Sequence, residues 1–67
     1  MISINVNKTP KRVEKNISVK RLLFTLQQPS EGIAVAVNHH VIIQDKWETT
    51  FLQENDSILI IQAAQGG

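Results

Sequence analysis

Hydrophobic and polar positions alternate strictly at the start of the chain, Ile2-Ser3-Ile4-Asn5-Val6-Asn7. A period of two marks a half-buried strand with Ile2, Ile4 and Val6 on one side. Asn7-Lys8-Thr9-Pro10 reads as a turn. Lys11 to Lys15, with Val13 as its single apolar anchor, suits a short charged edge strand that discourages pairing with other chains. The period then changes. Val19, Leu22, Leu23 and Leu26 stand at i, i+3, i+4 and i+7, one stripe of an amphipathic helix. Ser18 is placed to cap its N-terminus, with Ile17 and Leu22 at the two positions of a hydrophobic staple. Pro29 disfavours helical backbone at Gln28 and closes the helix. Phe24 falls opposite the leucine stripe, so it is either exposed for a partner or folded over a helix end. Lys20 and Arg21 occupy the first turn, where the helix dipole favours acids. A partner contact or plain tolerance would account for them.

Beyond the helix, Ile33-Ala34-Val35-Ala36-Val37-Asn38 reads as a third strand, large residues on one side and alanines on the other. His39-His40 forms a tight connection, Asn38 being able to take a left-handed backbone, and Val41-Ile42-Ile43 is a short fourth strand. Asp45 with Glu48 three residues on resembles a capping box for one helical turn carrying Trp47, a core plug. Glu54-Asn55-Asp56 is a turn, and Ser57 to Gln62 is a last strand, apolar on both faces and therefore central in its sheet. The order is β-β-α-β-β-β, an α+β chain. One helix covers only one face of a sheet. If Ile33, Val35 and Val37 face it, an apolar patch remains on the other side, built from Ala34, Ala36 and one of the two faces of the last strand. Leu59 and Ile61, with Ala34, Ala36 and Phe24, are the docking candidates. An uncovered patch of this kind marks a protein that works by being bound.

Composition narrows the chemistry. Sixty-seven residues make one domain, which buries only about 60% of its unfolded surface and has no room for an internal active-site cavity. The absence of cysteine removes disulfides, a thiol nucleophile and thiolate–metal sites. A hydrophobic content of 42% with 19% charged residues indicates a folded globule. No apolar run approaches the roughly 20 residues needed to span a membrane and no signal segment opens the chain, so a cytoplasmic location is expected. Residues 1–21 hold six of the seven basic groups against one acid, while the remainder holds one base against five acids. Three aromatics, none interleaved with the basic run, argue against nucleic-acid binding. His39 and His40 are adjacent and would point to opposite sides of an extended chain, so they do not readily chelate one metal. No serine–histidine–acid grouping and no phosphate-cradling glycine loop is recognisable. No catalytic residue and no metal site is expected in this chain.

The last residues, Ala64-Gln65-Gly66-Gly67, form a small polar tail after the final strand, giving a folded body over 1–63 and a flexible tail over 64–67. Without Cβ atoms, Gly66 and Gly67 keep such a tail thin and permissive. A terminal carboxylate is ionised at neutral pH and resists nucleophiles until it is activated, for example as a mixed anhydride with AMP. An activating enzyme must then thread the tail through a narrow channel. A merely frayed terminus would carry the same residues.

Gly32-Ile33-Ala34-Val35-Ala36-Val37-Asn38, then Trp47, then Leu52 with Asp56, then the closing Gly66-Gly67, together resemble the ThiS family, the small sulfur carriers of thiamine biosynthesis. The helix start Ile17-Ser18-Val19-Lys20-Arg21-Leu22-Leu23 is similar to that family's threonine/serine-valine-x-x-leucine-leucine region. The resemblance runs over nearly the whole chain. It implies a β-grasp, ubiquitin-like fold, a mixed sheet with one helix on one face. It further implies activation of the C-terminus by an ATP-dependent, E1-like adenylating enzyme and delivery of sulfur from a donor such as a cysteine desulfurase. A thiocarboxylate then forms, which thiazole synthase uses. By that resemblance Gly67 carries the acyl-adenylate and then the thiocarboxylate, while Gly66, Gln65 and Ala64 thread into the partners. The chain itself would bind no cofactor. Two departures stand out: His39 and Asn55 occupy turn positions where the family commonly has glycine. Asparagine tolerates a left-handed backbone, whereas His39 leaves the hairpin geometry open. The molybdopterin synthase small subunit shares the fold and the di-glycine end. A ubiquitin-like modifier and a plain β-grasp interaction module are the remaining readings.

Overall fold

The computed structural model describes residues 1–29 and 31–62. The chain forms β1 (Ile2–Val6), β2 (Thr9–Val13), α1 (Val19–Thr25), β3 (Ile33–Val37), β4 (His40–Ile42), a single 3-10 turn (Gln44–Lys46) and β5 (Ser57–Gln62). The five strands make one mixed sheet in the order β2-β1-β5-β3-β4. β5 lies in the centre, parallel to β1 and antiparallel to β3. The expected element order and the central place of the last strand are both found. So is the division of faces: Ile2, Ile4 and Val6 are buried with Val13, Val35, Ile58 and Ile60 under Val19, Leu22 and Leu23 of the helix.

Both hairpins turn on two residues with positive φ, Asn7 (51°) with Lys8 (69°) and Asn38 (51°) with His39 (73°). Left-handed backbone at both central positions matches the right-handed twist of the flanking strands and lets a hairpin close in two residues. This tightness corrects three boundaries. The first turn takes only Asn7 and Lys8, so β2 runs over Thr9–Val13 rather than from Lys11 to Lys15. Pro10 is tolerated because β2 is an edge strand whose outer N–H positions have no neighbour. At the second hairpin the connection is Asn38-His39, and His40 opens β4, paired with Val37. His39 (φ 73°) and Asn55 (φ 70°) both hold left-handed backbone, the conformation that glycine takes without steric cost, so both turns close without a glycine.

The helix begins as the sequence indicates. Arg21 N–H donates to Ser18 Oγ at 3.1 Å, and Ile17 and Leu22 are both buried in the core. The other two free donors of the first turn are met by the loop that follows the 3-10 turn: Val19 N–H donates to Thr50 O and Lys20 N–H to Trp47 O. The far end differs from expectation. Gln27 turns left-handed (φ 59°), Gln28 N–H reaches back to Leu23 O and Gln27 N–H to Phe24 O. That pair of bonds closes the helix one turn before Pro29 can act. The capping box at Asp45 is also corrected. The turn there spans Gln44–Lys46, is preceded by Ile43, and has no side-chain cap. Trp47 is buried at 4% exposure, with Nε1–H donating to Ile42 O at 2.9 Å.

A β-carbon in left-handed backbone costs about 1–2 kcal/mol relative to glycine, part of which glycine's larger unfolded-state entropy cancels. His39→Gly is therefore expected to raise the urea unfolding midpoint, and Leu22→Ala, at 0% exposure, to lower stability by about 2–5 kcal/mol. An unchanged midpoint for His39→Gly would contradict the strain assigned to that turn.

Candidate functional site: the open face of the sheet

β5 carries Ile58 and Ile60 toward the helix and turns Leu59 and Ile61 to the other side, where they are 46% and 52% exposed. Strand register builds the patch outward from these two. Ala36 lies opposite Leu59 and Ala34 opposite Ile61. On the next strand Val41 lies opposite Ala36 and is 72% exposed. Leu59, Ile61, Ala34, Ala36 and Val41 thus form one apolar surface across β5, β3 and β4, with no helix of the described residues above it. Val41 was not among the residues singled out from sequence. Period-two alternation on β4 would have placed it there once the hairpin register was known.

Phe24 is not part of this surface. It is 72% exposed on the helix, the layer that covers the opposite side of the sheet. The Arg21 guanidinium sits 5.6 Å from the centre of its ring, within cation–π range. Phe24 also borders a groove of about 550 Å³ with Leu23, Trp47, Lys20, Asp45 and Glu48. Lys20 Nζ pairs with Glu48 Oε2 at 3.0 Å, which supplies the acid that the first helical turn lacks.

The open face is held in shape by polar splints at its margins. Asn38 Nδ2 donates to Asp56 Oδ1 at 3.0 Å, and Ser57 N–H donates to Asn38 Oδ1 at 2.9 Å. Asp56 Oδ2 accepts from Gln53 N–H at 2.8 Å. These bonds fix the β3–β4 hairpin against the start of β5. On the other side, Asn7 Oδ1 accepts from Ile60 N–H at 2.8 Å. Sequence reasoning noted the backbone tolerance of Asn38 but missed the side-chain work of both asparagines. An asparagine at the first turn position of each hairpin is the signal that could have found it. Between the splints lies a hollow of about 150 Å³, lined by Asn7, Lys8, Ala36, His39, Ser57 and Leu59.

The basic residues do not converge. Opposite partners in the β1–β2 ladder put Lys11 on the side of Ile4 and Arg12 on the side of Ser3, the two opposite faces of the sheet. Lys20 and Arg21 lie on the helix. His39 is in a turn, and His40 Nδ1 lies 3.1 Å from Asn38 O. Among the described residues no group of three histidine or carboxylate side chains is placed to hold a metal. No helix among them is long and apolar enough to cross a membrane. Ala64, Gln65, Gly66 and Gly67 lie outside the described residues.

Because Leu59 and Ile61 are exposed, Leu59→Asp with Ile61→Asp is expected to shift stability by less than about 1 kcal/mol, against several for a buried position. Glu48→Gln should change it by no more than about 0.5 kcal/mol, since the Lys20–Glu48 pair is solvent-exposed on both sides. Thermal or urea unfolding reads both. Loss of the fold in the Leu59/Ile61 variant would show that the face is structural.

Comparison with known proteins agrees with this architecture. The crystal structure of thiamine biosynthesis protein ThiS from Geobacter metallireducens superposes with a TM-score of 0.87 at 23% identity, covering 98% of this chain and all of that one. The solution structure of a thiamine biosynthesis protein from the same organism gives 0.80, covering 98% and 88%. At that identity the two show the shared fold, a β-grasp. Sulfur carrier protein ThiS of Escherichia coli is 34% identical over 50 residues, 75% of this chain and 76% of that protein. An uncharacterized protein of Pyropia yezoensis is 33% identical over 66 residues, 98% and 93% of the two chains. The ThiS family model matches residues 4–67, from the first strand through the two glycines, and the chain therefore belongs to the ThiS family.

Proposed function

We propose that the chain is a sulfur carrier of thiamine biosynthesis, a protein co-substrate rather than an enzyme. The observation that carries this reading is the family match over residues 4–67, which includes Gly66 and Gly67. The name of the Escherichia coli relative supports it. In this reading residues 1–63 are the folded body and residues 64–67 the working tail, and the chain acts in the cytoplasm.

The chemistry follows from the carboxylate. A Gly67 carboxylate oxygen attacks the α-phosphorus of ATP in an adenylating enzyme and pyrophosphate leaves. The negative charge that protected the carbonyl from nucleophiles is thereby removed. Hydrosulfide then attacks the activated carbonyl carbon and displaces AMP, leaving a thiocarboxylate for thiazole synthase. In the cell the sulfur comes from a donor such as a cysteine desulfurase, whose persulfide releases hydrosulfide when thiols reduce it and a disulfide is left. The chain holds no cofactor of its own, and ATP is consumed by the activating enzyme. Gly66, Gln65 and Ala64 present Gly67 through a narrow channel, while the apolar face on Leu59, Ile61, Ala34, Ala36 and Val41 docks on the partner's surface. Because Leu59 and Ile61 belong to the strand that leads into the tail, docking there sets the distance from the partner's surface to Gly67.

Deleting Gly67 is expected to abolish thiazole formation in a mixture of adenylating enzyme, ATP, sulfide and thiazole synthase. Exchanging thiazole synthase for the large subunit of molybdopterin synthase should give no transfer. Leu59→Asp with Ile61→Asp should raise the KM for the carrier at least about tenfold, as expected when central anchors of an interface are charged. Full thiazole formation by the chain lacking Gly67 would overturn the proposal.

A further inference from the structure

The hydrogen bonding on the two sides of β5 stops at different residues. On the β3 side the pairing runs from Ile58, opposite Val37, to Gln62, opposite Ile33. On the β1 side it covers only Ser57, opposite Asn5, and Ile58, opposite Val6, because β1 turns back at Asn7. Asn7 prolongs it by one step. Its N–H donates to Ile58 O at 2.9 Å, and its Oδ1 accepts from Ile60 N–H at 2.8 Å, standing in for the next backbone carbonyl. Successive residues of a strand direct their N–H and C=O groups to alternate sides. Since Ile60 N–H points to the β1 side, Ile60 C=O and Gln62 N–H point there too. Neither has a hydrogen-bond partner among the described residues.

This notch differs from the sheet's outer edges. β2 carries Pro10, Lys11 and Arg12, residues that blunt an edge, and β4 is three residues long. Leu59–Gln62 carries neither proline nor charge. We infer that an extended segment of the adenylating partner adds as a strand along the β1 side of Leu59–Gln62, accepting from Gln62 N–H and donating to Ile60 C=O. The inference rests on the sulfur-carrier reading. Strand addition draws affinity from main-chain bonds and leaves alternate side chains to give specificity. Every second residue of the added strand lies beside Leu59 and Ile61 on the open face, so apolar residues fit there. The pairing also sets the register of the tail. Gly67 lies five residues beyond Gln62, at most roughly 17 Å of extended chain, and a register fixed at Gln62 fixes where Gly67 can reach.

The test removes one N–H. Gln62→Pro deletes the donor at a position where no bond of the described fold uses it, and Gln62→Ala removes only the side chain. With the full-length chain, ATP and the adenylating enzyme, Gln62→Pro should raise the KM for the carrier roughly three- to tenfold, the effect of one lost hydrogen bond. Gln62→Ala should stay near wild type, and both should keep the wild-type melting temperature. In the wild-type chain, amide exchange at Gln62 should slow when excess adenylating enzyme is added. Equal KM values for the two variants would overturn the inference, and so would Gln62 exchange that the enzyme leaves unchanged. Exchange already slow in the free chain would show that copies of the chain fill the notch, and would overturn it as well. A wild-type chain that is not adenylated at all would overturn the carrier reading, and this inference with it.

Discussion

The central strand is apolar on both of its faces, while among the described residues a single seven-residue helix supplies the cover. Ile58 and Ile60 take the covered side, with Val35 from β3, Ile4 and Val6 from β1, and Val19, Leu22 and Leu23 from the helix. Leu59 and Ile61 are then left in water by the geometry of a strand, whose side chains must alternate. Among the described residues one helix covers one face only, so it buries one pair and leaves the other exposed. The fold therefore leaves an exposed apolar face as a direct consequence of how its core is filled, on the last strand of the sheet.

A core this small depends on how its margins are closed. The two-residue hairpins place Asn7 and Asn38 on either side of β5, and each asparagine uses its side chain to replace a backbone partner that the sheet lacks. The same economy appears at the helix start. Thr50 O, Trp47 O and Ser18 Oγ meet the first three N–H groups, tying the loop around Trp47 to the helix without an acid in the first turn. Buried side-chain polar atoms without a partner are absent among the described residues. In the proposed carrier reading, rigidity at these margins matters because a partner would read the position of the tail from the strand that bears it.

Much of this was legible in the chain itself. Strict alternation over Ile2–Val6 and the stripe from Val19 to Leu26 gave the first strand and the helix, because burial of one face imposes those periods. The doubly apolar β5 gave its central place and, with only one helix present, the existence of an open face. Which side of β5 met the helix was not legible, since Ile58-Leu59-Ile60-Ile61 is symmetric to a reader of hydrophobicity. The register with β3 decides it. Turn boundaries failed for a related reason. Lys8 and His39 adopt left-handed backbone that glycine would have announced, so both hairpins are tighter than their residues suggest. Asp45 and Glu48 have capping-box spacing, yet Ile43 precedes the turn and Glu48 pairs with Lys20. Phe24 stands among the docking candidates because helical spacing puts it opposite the leucine stripe, and it is exposed there. The layered arrangement puts it on the far side of the molecule.

The central claim is that this fold exists to present an activatable carboxylate at Gly67. Intact mass of the purified chain, after incubation with ATP, a thiamine-pathway adenylating enzyme and sulfide, addresses it most directly. The account predicts a gain equal to one sulfur in place of one oxygen, lost when Gly67 is deleted. An unchanged mass, with the adenylating enzyme active on another carrier in the same buffer, would contradict it and leave a β-grasp module that acts by docking alone.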